Sequence, residues 1–326
     1  MTKNILITGA AGFIGYHLVR AVNKNFTKKI TIVGVDNINN YYSKKLKLDR
    51  IKILKNEYKN FIFKKLDIKD YKKIHSIFDQ YKFDLVVNLA AQAGVRYSLE
   101  KPEKYISNNI NGFFNILDCA KKFKTKHLVF ASSSSVYGEE KKYPWNENFK
   151  TANPKQLYAA TKISNEVMGA AYSNLYNMKI TGLRYFTVYG PWGRPDMAIF
   201  SFVKNLIENK KINIYNNGNH YRDFTYVDDI IDGTVKILLS KKKFFKNNFN
   251  IFNLGNNIPI KLSKLIYLIE NILNKKFTKR YLPLQKGDVF KTCADIKKIQ
   301  SVIKYKPKTN IKIGLQNFIN WYRGYY

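Results

Sequence analysis

Cysteine is almost absent from this chain of 326 residues, which carries only Cys119 and Cys293. Two isolated thiols make neither a disulfide framework nor the paired spacing of a zinc site, so no metal is expected and a reducing, cytoplasmic compartment fits. Long apolar runs are also lacking. Nothing approaches the roughly 18–20 residues that span a bilayer, and the apolar segment 5–18 is broken by Gly9, Ala10, Ala11 and Gly12. Neither a membrane span nor a secretory leader is expected.

Arginine and acidic residues are scarce too. Only 8 of the 57 basic residues are arginine and Asp plus Glu number 23, which leaves a formal net charge of +34. Such a charge raises the question of nucleic acid or an anionic membrane as partner. The lysines, however, are spread through every segment and form no arm or tail, as with the short run Lys241-Lys242-Lys243 expected in a solvated loop. A general compositional bias explains this better than a binding footprint. In such a chain an arginine marks a place where a rigid, two-pronged donor is hard to replace by lysine. Arg96, Arg184, Arg194 and Arg222 stand out, each among Gly, Tyr, Phe or Asp.

What is abundant is apolar and aromatic side chain, 45% and 15% of residues, enough for one large or two unequal domains with a real core. Short β-rich runs at 4–8, 30–35, 61–63, 85–88 and 127–130 alternate with amphipathic stretches such as 71–78 and 102–123. Strict alternation predicts βαβ units and a doubly wound parallel sheet of the Rossmann type. Beyond about residue 190 shorter strands (212–215, 250–254) and helices (199–208, 263–273) mix with Asn and Gly turns. The expected division is a dinucleotide-binding domain over 1–190, rejoined by some later segments, and a smaller α+β substrate domain over 191–326.

The segment Thr8-Gly9-Ala10-Ala11-Gly12-Phe13-Ile14-Gly15 follows the first strand and opens a helix. In this spacing Gly9 permits the tight turn, Gly12 lets backbone approach a pyrophosphate, and Gly15 allows close helix packing, with free N–H groups of the helix start facing the phosphates. Asp36, ending the second strand roughly twenty residues on, suits the adenosine ribose hydroxyls and repels a 2′-phosphate, which favours NAD. Asp67, after the third strand, suits an adenine contact.

Tyr158 and Lys162 lie at i and i+4, and therefore on one face of a helix expected over 156–176. An ammonium so placed is expected to lower the phenol pKa and leave a proton acceptor for a sugar hydroxyl. The cluster Ser132-Ser133-Ser134-Ser135 follows the fifth strand, at the edge where such sheets build their crevice.

Taken together these motifs resemble the extended short-chain dehydrogenase/reductases that modify sugar nucleotides. The resemblance also runs through Asn88-Leu89-Ala90-Ala91-Gln92, Asn109-Ile110-Asn111-Gly112, Leu183-Arg184-Tyr185-Phe186, Arg222-Asp223-Phe224 and Gly287-Asp288-Val289. It implies Ser133, Tyr158 and Lys162 as catalytic residues. It implies Gly9, Gly12, Phe13, Ile14, Gly15, Asp36, Asp67, Ala90 and Asn109 around NAD, together with Tyr158 and Lys162. For the UDP-sugar it implies Arg222 at the diphosphate and Asp288 at the ribose.

Ser134 and Ser135 stand where 4,6-dehydratases of the family carry Asp-Glu, and Ser135 stands where uronate decarboxylases carry Glu. Three stretches, 91–98, 189–198 and 283–289, are similar to UDP-glucuronate 4-epimerases, the third departing at Lys286 where proline is usual. Thr187 replaces the Asn of UDP-galactose 4-epimerases. The resemblance therefore implies C4 epimerisation of UDP-glucuronate to UDP-galacturonate, with Ser134, Ser135 and Thr187 around the carboxylate and Arg96 and Arg194 adding positive charge. The alternatives are a 4-epimerase of UDP-N-acetylhexosamine or its uronate and, from another class, a non-catalytic basic binding protein. A homodimer through helices 102–123 and 156–176 is expected by the same resemblance.

Overall fold

A computed structural model describes residues 2–26, 29–240, 245, 247–283 and 287–326. The lysine run 241–243 and the departure at Lys286 lie outside the described residues. The first part of the chain comprises β1 (Lys3–Thr8), α1 (Phe13–Asn25), β2 (Ile30–Asp36), α2 (Lys44–Glu57), β3 (Phe61–Lys65), α3 (Tyr71–Tyr81) and β4 (Leu85–Asn88). It continues through α4 (Tyr97–Glu100), α5 (Pro102–Tyr105), a π-helical turn (Ile106–Asn111), α6 (Gly112–Lys122), β5 (His127–Ser133), α7 (Leu157–Tyr176), β6 (Ile180–Tyr185) and β7 (Thr187–Tyr189). Then follow α8 (Ala198–Ile207), β8 (Ile212–Tyr215), β9 (Tyr221–Tyr226), α9 (Val227–Leu239), β10 (Phe249–Leu254), β11 (Pro259–Lys261), α10 (Leu262–Leu273), β12 (Lys279–Leu282), α11 (Lys297–Ile303) and α12 (Ile311–Tyr325).

A seven-stranded sheet in the order β10-β6-β5-β4-β1-β2-β3 forms the centre. Its neighbours are parallel throughout. Strand pleating explains why these runs read as continuously apolar. Ile5, Ile7, Ile32, Val87 and Val129 enter one core layer, while Leu6, Val33, Val86, Leu128 and Phe130 enter the other. Alternate residues of a strand buried on both faces must serve opposite layers. Each fully buried aliphatic side chain adds about 1.5–3 kcal/mol. The layer of Leu6 is completed by Ile74, Ile77 and Phe78 of α3 and Phe113, Ile116 and Leu117 of α6.

One expectation changes. The helix over 102–123 is interrupted by the π-helical turn, whose extra residue per turn rotates the asparagines Asn108 and Asn109 relative to a regular helix. Of the later segments, β10 pairs with β6 in the main sheet, Phe249 opposite Ile180. The remaining strands make two small sheets, β11-β9-β7 and β12-β8, beside its carboxyl edge. Among the described residues no helix is long and apolar enough to cross a membrane, and no group of His, Cys, Asp and Glu could hold a metal.

Arg184, singled out by its rarity, is a structural tie. Its guanidinium grips Glu166 of α7 with Nε on Oε1 at 2.9 Å and Nη2 on Oε2 at 2.7 Å, and the Ser132 hydroxyl donates to Oε1 at 2.5 Å. The pair is buried and locks β5, β6 and α7 together. Both cysteines are buried and free, and burial pushes the Cys119 thiol up to about 12 and that of Cys293 to about 11.

Candidate active site

The carboxyl ends of β1 through β6 converge on one long cleft, as the crevice rule for open parallel sheets requires. At the end of β1 the Thr8 hydroxyl donates to Asn88 Oδ1 at 2.6 Å and accepts from the Ala90 amide at 3.1 Å. This ties the chain after β4 against the glycine turn. Gly9 has φ +70°, and a Cβ there would come 2.9 Å from the Ala90 nitrogen. A Cβ on Gly15 would meet the Gly9 carbonyl at 2.2 Å, so the turn and the first turn of α1 can touch only as glycine backbone. Gly12 caps α1 without a side chain, and the first helical turn holds no acid. The N–H groups and positive dipole end are left for an anion.

Asp36 ends β2 beside this turn. Burial pushes its carboxyl above the ordinary value, against hydrogen bonds from the Ile38 and Ala11 amides and the nearby Lys47 and Arg50 charges. Asp67 accepts from Asn37 Nδ2 and the Lys69 amide, both at 3.0 Å. An uncapped glycine-opened helix start next to a carboxylate at the strand end is the donor and acceptor set a nicotinamide dinucleotide needs. Asp36→Asn should therefore weaken NAD retention about tenfold, the worth of one charge-assisted hydrogen bond, and reduce discrimination against NADP. Titration of the variant with both dinucleotides checks this; unchanged selectivity would count against the ribose contact.

Tyr158 and Lys162 occupy successive turns of α7. The Lys162 ammonium donates to the Ala131 carbonyl at 2.7 Å and lies 6.0 Å from the centroid of the Tyr158 ring. Burial pulls it down to about 8, opposed by Glu166. The Tyr158 phenol is pushed above its ordinary value by burial, and the groups opposing that are the Ser133 hydroxyl and the Arg194 charge. Lys162, expected to depress the phenol, is not among the groups that lower it here; its ammonium is turned to the β5 carbonyl. Ser133 in turn donates to Ser135 Oγ at 3.1 Å and accepts from the Ser135 amide at 3.2 Å.

The cleft is lined by Gly9, Gly12, Phe13, Ile14, Gly15, Asp36, Asp67, Ala90, Ser133, Ser134, Ser135, Tyr158, Lys162, Thr187 and Arg194. Four expected site residues lie elsewhere. Asn109 is buried with its side chain fully used: Oδ1 accepts from the Gln92 amide at 2.7 Å, and Nδ2 donates to the Gln92 carbonyl at 3.0 Å and Thr161 Oγ1 at 3.1 Å. It shapes the loop after β4, and its neighbour Asn108 reaches the cleft instead. Arg96 lies 5.0 Å from the ring centroid of Tyr215. Arg222 pairs with Asp288, Nη2 to Oδ1 at 2.7 Å, so these two answer each other.

Arg194 is less of a bare cation than expected. Asp196 takes its Nε at 3.0 Å and Nη2 at 2.6 Å, and the Tyr41 hydroxyl donates to the same carboxylate at 3.0 Å. Tyr41, Tyr42 and Lys47 also line the cleft, and none was singled out from sequence. Burial pulls the Lys47 ammonium down to about 8 while it donates to Asn39.

Comparison with known proteins agrees with this geometry. Residues 5–255 match the NAD dependent epimerase/dehydratase family. Protein CapI of Staphylococcus aureus is 45% identical over 99% of this chain and 99% of its own length. UDP-glucuronate 4-epimerase 5 of Arabidopsis thaliana is 40% identical over 99% of this chain and 76% of its own. The crystal structure of UDP-glucuronic acid 4-epimerase from Bacillus cereus, in complex with UDP-glucuronic acid and NAD, superposes with a TM-score of 0.92 at 34% identity, covering 99% and 100% of the two chains. With a glycine turn, a carboxylate at the end of β2 and a Ser-Tyr-Lys constellation on a doubly wound sheet, the chain belongs to the NAD dependent epimerase/dehydratase family.

Proposed function

We propose that the protein is an isomerase that inverts C4 of UDP-glucuronate to give UDP-galacturonate. The observation that carries this reading is the lining beside Tyr158 and Ser133: Ser134 and Ser135 offer hydroxyls where an eliminating or decarboxylating relative carries acids, and Thr187 adds a third. The likeness to UDP-glucuronate 4-epimerases over nearly the whole chain supports it.

When bound, NAD supplies the acceptor and later the donor of the C4 hydride. Tyr158 as phenolate takes the proton of O4, with the Ser133 hydroxyl bridging oxygen and phenol. Lys162 keeps a positive charge close to that transfer. After the keto sugar has turned its other face, Tyr158 returns the proton to O4 and the configuration is inverted. The intermediate is a β-keto acid that could lose carbon dioxide. Hydroxyls of Ser134, Ser135 and Thr187 holding the carboxylate ionised and out of line with the ketone suppress that loss.

Incubation with UDP-glucuronate followed by NMR should show UDP-galacturonate and no pentose nucleotide. Absence of turnover, or turnover of UDP-N-acetylhexosamine instead, would defeat the reading. Thr187→Val should lower kcat/KM for the uronate about 10- to 100-fold, the worth of a hydrogen bond to a charged group. Steady-state assays that leave this ratio within twofold of the parent would remove Thr187 from the carboxylate site. The same reading gives a homodimer: Phe114 on α6 and Val167, Leu175 and Tyr176 on α7 are apolar side chains left exposed. Sedimentation of the purified protein tests it.

A further inference from the structure

We infer that Arg50 is a positioning residue through which occupancy of the dinucleotide turn and of the sugar-nucleotide loop are coupled. The inference rests on the reading that this cleft takes NAD and a UDP-sugar together. Arg50 projects from α2 and is fully buried, yet each of its hydrogen-bond partners is a neutral oxygen. Nη1 serves the dinucleotide side, donating to the Ala11 carbonyl inside the glycine turn and to the Tyr42 hydroxyl, both at 2.8 Å. Nη2 serves the substrate side, donating to the carbonyls of Trp192 at 2.5 Å and Gly193 at 3.3 Å, the two residues before Arg194. Nε has no partner.

One planar cation therefore joins the glycine turn, 39 residues before it in the chain, to a loop 142 residues after it. A buried charge whose hydrogen bonds all go to neutral oxygens, with the Asp36 carboxyl near but not bonded to it, is a costly way to make a merely structural tie. Lysine, which this chain uses at nearly every other basic position, has one nitrogen and cannot serve two loops in a fixed fork. The substrate-side attachment is itself held in an unfavourable conformation, with Trp192 at φ +60°, the left-handed region that a bulky side chain rarely adopts. Ordering of either loop by its ligand fixes the guanidinium, and the fixed guanidinium orders the other loop. Such a coupling is reciprocal by necessity.

The test uses the holoenzyme and UDP, which lacks the sugar esterified to the diphosphate. Release of NAD is followed with and without saturating UDP. In the parent protein UDP should slow release about fivefold or more, a typical coupling. In Arg50→Lys, which keeps the charge and loses the fork, the slowing should fall below about twofold while UDP still binds by calorimetry. A variant that melts earlier but keeps the parent ratio would reduce Arg50 to a structural tie and overturn the inference, as would a parent protein in which UDP leaves NAD release unchanged. If Arg50→Lys does not fold by circular dichroism, Tyr42→Phe, which removes one Nη1 acceptor, decides: a reduced ratio supports the coupling and an unchanged one rejects it. Turnover of UDP-glucuronate by the parent is scored separately, so loss of the proposed substrate would not mimic loss of the coupling.

Discussion

Tyr158→Phe is expected to leave a folded, NAD-loaded protein whose kcat on UDP-glucuronate is lower by about 10²–10⁴-fold, the usual contribution of a positioned acid–base group. The substitution removes only the phenol oxygen, so the ring packing against Tyr105 remains. Steady-state kinetics with NMR detection measure the loss, and a fall of less than tenfold would exclude Tyr158 as the proton carrier. The pH dependence follows from the pair. The working state needs a phenolate at Tyr158 and an ammonium at Lys162. Burial raises the first group's pKa and pulls the second down to about 8, so below that pH the pair holds two protons and is inactive. Losing one proton admits the working tautomer, and losing both removes it again. Activity should therefore rise with pH through about 8 and fall only where the phenol itself would be ionised. Lys162→Met should move the rising limb up to the pH at which the phenol itself ionises; a limb that stays near 8 belongs to another group.

Glu166→Gln should cost about 3–5 kcal/mol of stability, because it leaves the Arg184 guanidinium buried without its counter-charge. Both side chains are almost completely enclosed, and the fork geometry uses both carboxylate oxygens. A protein of ordinary stability has only about 5–15 kcal/mol in total, so the variant should unfold at much lower denaturant. Removing both charges, as Glu166→Leu with Arg184→Met, should recover most of the loss, since matched apolar groups need no counter-ion. Equilibrium unfolding in urea reads both. A cost below about 1 kcal/mol for Glu166→Gln would mean that water reaches the pair. A second consequence separates this pair from an ordinary tie. Glu166 opposes the burial of the Lys162 ammonium one turn away, so its neutralisation should move the rising limb of the pH profile to lower pH.

The dinucleotide half of the cleft was readable from the chain because its residues follow consecutive strands of one sheet. Gly9, Gly12, Gly15, Asp36, Ser133 and Tyr158 each lie at or just after a strand end or in the first turn of a helix. Local spacing then carries three-dimensional meaning. What was missed depends on contacts between distant segments: Tyr41 with Asp196, and Arg50 with Trp192 and Gly193. No period or short motif encodes those. Arginine scarcity was the available signal, and it was applied to Arg96, Arg184, Arg194 and Arg222 while Arg50, which follows Asp49, was passed over. The π-helical turn was equally unreadable: it buries Asn109 against Gln92 and Thr161 and leaves Asn108 lining the cleft.

The two enclosed thiols have a practical meaning. With their ionisation pushed to about 12 and 11 and no thiolate at the surface, Cys119 and Cys293 should ignore alkylating reagents and mild oxidants at neutral pH. A single cysteine introduced on the exposed side of α2, or next to Arg194, would then be the one reactive sulfur. Spectroscopic labels could report on the two loops that Arg50 joins without first stripping the native cysteines.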